Sequence, residues 1–216
     1  MEENMNRKLA VTPQFIVSCL LCLLPILVGL TVYGRLPDPM PSHWSFSGEV
    51  NDYSAKAFVI FGIPLLMAAV NAFVWFALSG DPRKTGVTRQ LRNMAGWLIP
   101  LFTLLLQTVT IAFALGYPIS PAVVVPLVIG SLFILIGSYL PKCKQNYAMG
   151  IKNPWTLHSP EIWRRTHRLA GRLWVAAGFL LALNTFVGSR WLYIGLIAVV
   201  ACVPYAYSYA LWRKGL

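Results

Sequence analysis

Six apolar stretches alternate with polar connections along the chain. A helix rises about 1.5 Å per residue, so about 20 apolar residues cross the hydrocarbon core of a bilayer. In lipid, only a helix can form all the hydrogen bonds of its backbone N–H and C=O groups within a single segment. The pattern predicts an all-α membrane protein built as a six-transmembrane-helix bundle, with spans at Phe15–Tyr33, Ala57–Leu78, Met94–Leu115, Ile119–Leu140, Ala170–Val187 and Trp191–Trp212.

The spacing of these stretches leaves no separate soluble domain. We expect residues 1–93 to hold the first two spans and a long loop between them, and residues 94–216 to hold the other four spans, in one integrated bundle. The first stretch is longer than the apolar part of a signal peptide and is interpreted as a retained span. In the fourth, Pro118, Pro121 and Pro126 predict a helix start and one kink.

Composition agrees with a membrane protein. The chain is 57% hydrophobic and 12% charged, whereas soluble domains carry about 25% charged residues. Its net charge of +11 would suggest nucleic acid in a soluble protein, but loop lysines and arginines orient a membrane protein. We therefore expect membrane lipids as partners and no direct nucleic acid contact. Cys19 and Cys22 lie within an apolar run and are interpreted as small helix residues.

The basic residues divide unevenly between the two sides. Of the 18 lysines and arginines, only Arg35, Lys56 and Arg190 fall in the connections on one side. Positive charge marks the cytoplasmic side, so both termini are predicted to be cytoplasmic. The chain is expected in the bacterial cytoplasmic membrane, and its cytoplasmic basic residues are Arg7, Lys8, Arg83, Lys84, Arg89, Arg92, Lys142, Lys144, Lys152, Arg164, Arg165, Arg168, Arg213 and Lys214.

Two connections are too long to be simple links, and the first is external, at about Gly34–Lys56. Its closely spaced prolines predict a stiff, extended entry, followed by His43, Trp44 and a polar turn at Gly48. His43 with Asp38, Glu49 and Asp52 would be a weak metal or proton site, since the spacing is irregular. Alternatively, the acidic loop recognises a cationic peptide, with Trp44, Phe46 and Tyr53 supplying contact area.

The second long connection is cytoplasmic, at about Pro141–Leu169. Gly150, Asn153 and Pro154 predict a tight turn, and a helix then begins at Ser159 and leads into the fifth span. One arc of this helix carries Arg164, Arg165, Arg168 and Arg172. The arc predicts either contact with lipid phosphates, which the pattern favours, or a docking surface for a cytoplasmic protein. His158 and His167 are expected to be polar interface residues.

Within this connection, "NYAMGIKNPWTLHSPEIWRRTHRLAGRLW" resembles the signature of the SdpI family of bacterial immunity proteins. The matching residues are Asn146, Gly150, Lys152, Pro154, Trp155, Thr156, Trp163 and Arg168. The external "RLPDPMPSHWSFSGEVNDYSAK" is similar to a short module of unknown function that often precedes the family's segment. Its pattern is Leu-Pro, a second proline, His-Trp and a glycine.

The resemblance implies protection against a secreted toxic peptide that acts at the membrane. It also implies that some members of the family hold a cytoplasmic repressor at the membrane. The external loop would then face the toxin, through Pro37, Pro41, His43, Trp44, Gly48, Glu49 and Asp52. The candidate repressor dock is the cytoplasmic motif together with Arg164 and Arg165.

Other classes of function have less support in the residues. The polar amides at membrane depth are Asn71, Gln107 and Asn184, and they are expected to bond helix to helix. No Asp, Glu or Lys lies mid-span, which disfavours a transporter or channel. Familiar hydrolase and nucleotide motifs are also missing, so no catalytic residue, metal or cofactor is expected. A transporter remains the alternative, and a metal-dependent membrane enzyme at His43 is a weaker one.

Overall fold

A computed structural model describes residues 11–45, 48–79 and 89–216. Six of its helices are long and apolar enough to cross a membrane, which confirms the predicted six-span bundle. The chain is therefore a multi-pass membrane protein. The helices are α1 Pro13–Val32, α2 Ile63–Ser79, α3 Arg89–Ala114, α4 Pro121–Tyr139, the short α5 Pro154–His158, α6 Pro160–Val187 and α7 Arg190–Arg213.

The helix starts follow from local sequence. Ser159 accepts a hydrogen bond from the Ile162 amide, and Pro160 occupies the first helical position. The basic helix and the fifth span form one continuous helix, as predicted. Helix α4 begins at Pro121 and holds Pro126 in its interior, which agrees with the expected helix start.

The connection between α1 and α2 contains a β-hairpin that the sequence pattern did not predict. Strands β1 (Met40–Trp44) and β2 (Val50–Ser54) pair antiparallel, with His43 opposite Asp52. The turn closes because the Ser45 amide donates to the Glu49 carbonyl, and Gly48 adopts a φ of 84°. Of the prolines that predicted a stiff entry, only Pro41 lies in a strand, and Pro37 and Pro39 precede β1.

The first half of the bundle consists of α1, α2 and α3, which contact one another. Asn71 of α2 donates to the Ser18 hydroxyl of α1 at 2.8 Å. Gln107 of α3 donates at 2.8 Å to the carbonyl of Val59, which lies in a π-helical turn before α2. These two amides bond helix to helix, as expected for polar groups in lipid.

Asn184 also bonds to backbone groups of the turn that follows its own helix. Its side chain accepts from the Ser189 amide at 3.1 Å and donates to the Ser189 carbonyl at 2.9 Å. It therefore closes the short turn between α6 and α7 and satisfies backbone groups at the helix end.

The second half consists of α4, α6 and α7, and its closest contact joins α4 to α6. A Cβ added to Gly178 would lie 2.5 Å from the Gly130 carbonyl oxygen, and one added to Gly171 would lie 2.7 Å from that of Gly137. Each helix thus presents two glycines seven residues apart. Small residues at these positions allow the two backbones to touch.

The two halves are joined at both faces of the bundle. On the hairpin face, defined by β1 and β2, Gly48 lies against Ala122 in the first turn of α4. On the opposite face, which carries α5 and is called the motif face, Met149 packs with Leu78 and Ala95 of the first half. Between these two bridges, α3 and α4 border an apolar groove of about 350 Å³.

Candidate functional site

The hairpin presents its polar residues on an exposed surface. The His43 Nδ1 and the Asn51 Oδ1 lie 2.6 Å apart, and Asp52 faces His43 across the two strands. Glu49, Asp52 and Tyr53 are exposed. The hairpin therefore carries exposed acidic groups, of the kind that attract a cationic ligand, and an exposed tyrosine.

Lys56 fixes the base of the hairpin. Its Nζ donates to the carbonyls of Leu36 at 3.2 Å and Tyr33 at 3.4 Å, and it lies 4.6 Å from the Tyr33 ring centre. The Lys56 amide also donates to the Asp38 carboxylate at 3.1 Å. From the sequence, Lys56 is predictable only as one external charge, because nothing in a loop sequence shows which carbonyls converge on it.

The predicted toxin-facing residues separate by burial. Pro37 is exposed and Pro41 is buried. Trp44 is half-buried, since its ring meets Phe113 of α3 edge-on at 5.9 Å between centres. Its role as a peptide contact remains a prediction, and Phe46 lies outside the described residues.

His43 and the nearby carboxylates do not form a metal site in the described structure. Within residues 11–45, 48–79 and 89–216, no group of three or more His, Cys, Asp or Glu side chains could hold a metal ion. The hydrogen bond to Asn51 instead gives His43 a partner within the loop.

On the motif face, Asn146 organises the first turn of the connection. Its Oδ1 accepts from the amides of Ala148 at 2.9 Å and Met149 at 2.7 Å, and its Nδ2 donates to the Lys144 carbonyl at 2.7 Å. The side chain is fully buried. Asparagine suits this position because one amide supplies both donors and an acceptor.

The segment predicted as a tight turn bends at Gly150, where φ is 107°, and leads into the short helix α5, which begins at Pro154. Asn153 accepts from the Thr156 amide at 2.9 Å, and the Thr156 hydroxyl accepts from the Asn153 amide at 3.0 Å. This reciprocal pair is a capping box, with Pro154 at the first helical position. Gln145 then donates to the Thr156 and Leu157 carbonyls at the other end. The Asn153–Pro154–Thr156 spacing was a helix-start signal that the turn interpretation missed.

Trp163 and His167 form the buried centre of the motif. The Trp163 Nε1 donates to the Cys143 carbonyl at 2.7 Å, and its ring stacks on His167 with centres 4.0 Å apart. The Ile151 amide donates to His167 Nε2 at 2.9 Å. His167 Nδ1 lies 2.8 Å from the Trp163 carbonyl. The acceptor role of Nε2 assigns a neutral imidazole with its proton on Nδ1.

The expectation that His167 is a polar interface residue is therefore wrong, because its side chain is 1% exposed. The available signal was its position four residues after Trp163 on the inner arc of the helix. His158 is exposed, in agreement with its predicted interface position.

Trp155 connects α5 to α7. Its ring centre lies 5.1 Å from that of Tyr205 and 5.0 Å from that of Tyr209. Beneath it, Asn153 Nδ2 donates to the buried Ser208 hydroxyl of α7 at 2.8 Å. The same asparagine thus caps α5 and bonds α5 to a membrane span.

This dual role gives a double-mutant prediction. Asn153→Ala removes both the cap and the bond, whereas Ser208→Ala removes only the bond. A buried side-chain hydrogen bond contributes about 1 kcal/mol, so the two changes should couple by about that amount in thermal unfolding of the purified protein. Additive losses would show that the bond between α5 and α7 does not stabilise the fold.

The basic residues of α6 have unequal partners. Glu161 pairs with Arg164 at 2.8 Å and with Arg165 at 2.6 Å, all three on the helix surface. Lys152 is exposed, and its Nζ donates to the Tyr147 carbonyl at 2.9 Å. Arg168 is also exposed. The basic residues Arg7, Lys8, Arg83 and Lys84, predicted to be cytoplasmic, lie outside the residues that the structure describes, as does the Arg89 side chain.

The predicted cytoplasmic motif thus contains two kinds of residue. Asn146, Thr156 and Trp163 are buried and build the folded connection. Lys152, Pro154, Arg164, Arg165 and Arg168 are exposed, and Trp155 is half-buried. A partner on this face could touch only the second kind directly.

Six spans with a structured connection on each face define an α-helical multi-pass membrane protein. A model of the SdpI/YfhL protein family matches residues 142–208, and a Domain of unknown function (DUF1648) matches residues 20–68. Over 185 residues the chain is 26% identical to the Immunity protein SdpI of Bacillus subtilis (strain 168), covering 86% of this chain and 87% of that protein. No solved structure matches the chain.

The chain is therefore similar to the SdpI/YfhL family over residues 142–208 and to an immunity protein over most of its length, which confirms the resemblance seen in its motifs. The family match begins at Lys142 and includes α5, α6 and most of α7. The second match includes the hairpin. Both structured connections thus fall within matched segments.

Proposed function

We propose that this chain is a membrane immunity protein that protects its bacterium against a secreted toxic peptide. The observation that carries the proposal is the similarity to an immunity protein along 86% of the chain. The two folded connections support it, because they give the bundle one structured surface on each side of the membrane. Protection of this kind uses recognition and requires no enzymatic step.

The hairpin face is proposed to lie outside the cell and to meet the peptide. Its basic side chain Lys56 is bonded to backbone carbonyls, while Glu49 and Asp52 remain exposed. This arrangement favours a cationic peptide, which the acidic surface would attract and orient. Exposed Tyr53 adds apolar contact area at low cost in conformational entropy.

The motif face is proposed to lie in the cytoplasm, together with both termini. A cytoplasmic repressor could contact the exposed Lys152 of the motif together with the neighbouring exposed side chains of Tyr147 and Arg164. The buried Trp163 and His167 would act only by holding these groups in place. This role is tested by measuring transcription of the chain's own gene after peptide exposure. If a repressor binds at Lys152, transcription should rise less in a Lys152→Gln variant than in the wild type.

The proposed immunity is tested by deleting the gene and growing the deletion strain beside its parent. The deletion strain should be inhibited by peptides that the parent secretes, and plasmid-borne wild-type chain should restore growth. A strain of Bacillus subtilis 168 lacking its Immunity protein SdpI provides a second host for the same complementation. Equal growth with and without the chain in both hosts would refute the proposal.

The external loop gives a prediction of its own. The double variant Glu49→Gln, Asp52→Asn should lower the peptide dose tolerated by the complemented strain by roughly tenfold, as expected for about 1.4 kcal/mol of lost attraction. Arg164→Gln, Arg165→Gln on the motif face is the matched control and should leave that dose unchanged. Equal protein amounts in the membrane must be shown for each variant by immunoblot.

A reporter fused after Leu216 tests the sidedness. A cytoplasmic reporter such as green fluorescent protein should be active there, and alkaline phosphatase should be inactive. The opposite result would place the hairpin in the cytoplasm and remove its proposed role.

A further inference from the structure

One stripe of α6 faces away from the rest of the bundle along its whole length. At 100° per residue, Arg168 and Arg172 share an arc of about 60° with Phe179, Leu183 and Phe186. These three apolar side chains are 57%, 60% and 85% exposed. In a membrane span, exposed Phe and Leu side chains contact lipid tails, so the two arginines above them also face lipid.

The depth of the two arginines follows from the neighbouring span. Helix α4 ends at Tyr139, and the next turn, Leu140–Lys142, packs on Gly171 through Pro141. Arg172 is therefore level with the end of the α4 span. The helix rises about 27 Å from Arg168 to Phe186, close to the thickness of the hydrocarbon core. The arginines lie where the lipid headgroups begin.

The charges on this stripe are not equivalent. Glu161 engages both Arg164 and Arg165. Arg168 and Arg172 are exposed and have no acidic partner in the part of the chain that the structure describes. Residues four apart on a helix place their Cβ atoms about 6 Å from each other, so two guanidinium groups can converge on one phosphate.

We propose that Arg168 and Arg172 together bind the phosphate of an anionic phospholipid in the leaflet at the motif face. The acyl chains of this lipid run along Phe179 and Leu183. The site does not depend on the proposed immunity, and it assigns Arg168 to the membrane rather than to a soluble partner. Arg164 and Arg165, one turn further from the bilayer, remain available to a protein.

The test is lipid binding to the purified full-length chain in detergent, followed by native mass spectrometry. The probes are phosphatidylglycerol, phosphatidylcholine and inorganic phosphate at matched concentrations. Wild-type protein should bind phosphatidylglycerol about tenfold more tightly than phosphatidylcholine, and Arg168→Gln, Arg172→Gln should remove most of this preference. The double variant Arg164→Gln, Arg165→Gln removes the same amount of positive charge and should keep the preference for phosphatidylglycerol.

Several outcomes would overturn the site. An equal loss in both double variants would mean diffuse attraction by net charge. Occupancy by inorganic phosphate equal to that by phosphatidylglycerol would exclude a lipid ligand. If the Arg168 and Arg172 double variant kept the full preference for phosphatidylglycerol, those residues would instead be available to a protein partner. Should that variant fail to fold, Arg172→Gln alone supplies the comparison, and undiminished preference in it would count against the paired site.

Discussion

Replacing Gly150 with alanine is expected to destabilise the protein by several kcal/mol and to unfold the connection between α4 and α6. Gly150 has a φ of 107°, which L-residues with a Cβ rarely adopt. An alanine Cβ would collide with His167 Nε2 and lie 3.0 Å from the Trp163 ring. The left-handed backbone costs about 1–2 kcal/mol, and losing the Ile151–His167 bond adds about 1–3 kcal/mol.

Gly116→Ala is the matched control for this change. Gly116 has a φ of 83°, but a Cβ there meets nothing within 4 Å. Gly116→Ala should therefore lower the free energy of unfolding only by the cost of the left-handed backbone, about 1–2 kcal/mol. Thermal unfolding of both purified variants, with limited proteolysis of the connection, measures the difference. If the two variants lost the same stability, the contact of Gly150 with Trp163 and His167 would not matter to the fold.

The second large effect is expected at Gly178, where α6 touches α4. An alanine Cβ would lie 2.5 Å from the Gly130 carbonyl oxygen and 2.9 Å from the Ile134 amide nitrogen. Both are backbone atoms inside a helix, so they cannot rotate away and the helices must separate. Overpacking of this kind costs about 1–3 kcal/mol, and the displaced helices lose further contact along their length.

Gly195→Ala in α7 is the control for Gly178→Ala. It lies inside a spanning helix, yet a Cβ there meets nothing within 4 Å. Alanine is intrinsically the better helix former by about 1 kcal/mol, so Gly195→Ala should be neutral or slightly stabilising. The two substitutions are chemically identical, but only Gly178→Ala should lower the unfolding temperature. If Gly195→Ala lowered the unfolding temperature as much as Gly178→Ala, close packing of α4 on α6 would not be the cause of the effect at Gly178.

The features set by composition and length could be predicted from the sequence. Six apolar runs of suitable length are enough to specify six spans, because lipid permits few alternatives to a helix. The continuous basic helix was also predictable, since the Ser159 cap and the Arg arc both lie in one local window. Interhelical roles for Asn71 and Gln107 followed from the cost of an unpaired amide in lipid.

The features that depend on distant contacts could not be predicted. The carbonyls of Tyr33 and Leu36 that hold Lys56 are brought together only when α1 ends beside the hairpin. His167 resembles a surface histidine until the backbone of Ile151 is placed against its ring. The glycine pairs of α4 and α6 show a regular spacing in the sequence, but their antiparallel register becomes visible only in the folded bundle.

The glycine contact between α4 and α6 also has a mechanical consequence. With backbones touching at Gly130–Gly178 and Gly137–Gly171, the two helices can hardly slide or tilt independently. Gly48 lies against Ala122 at one end of this pair, and at the other end Trp163 of α6 donates to the Cys143 carbonyl. The pair therefore crosses the membrane as one stiff unit, with the hairpin tip against Ala122 at one end and Trp163 at the other.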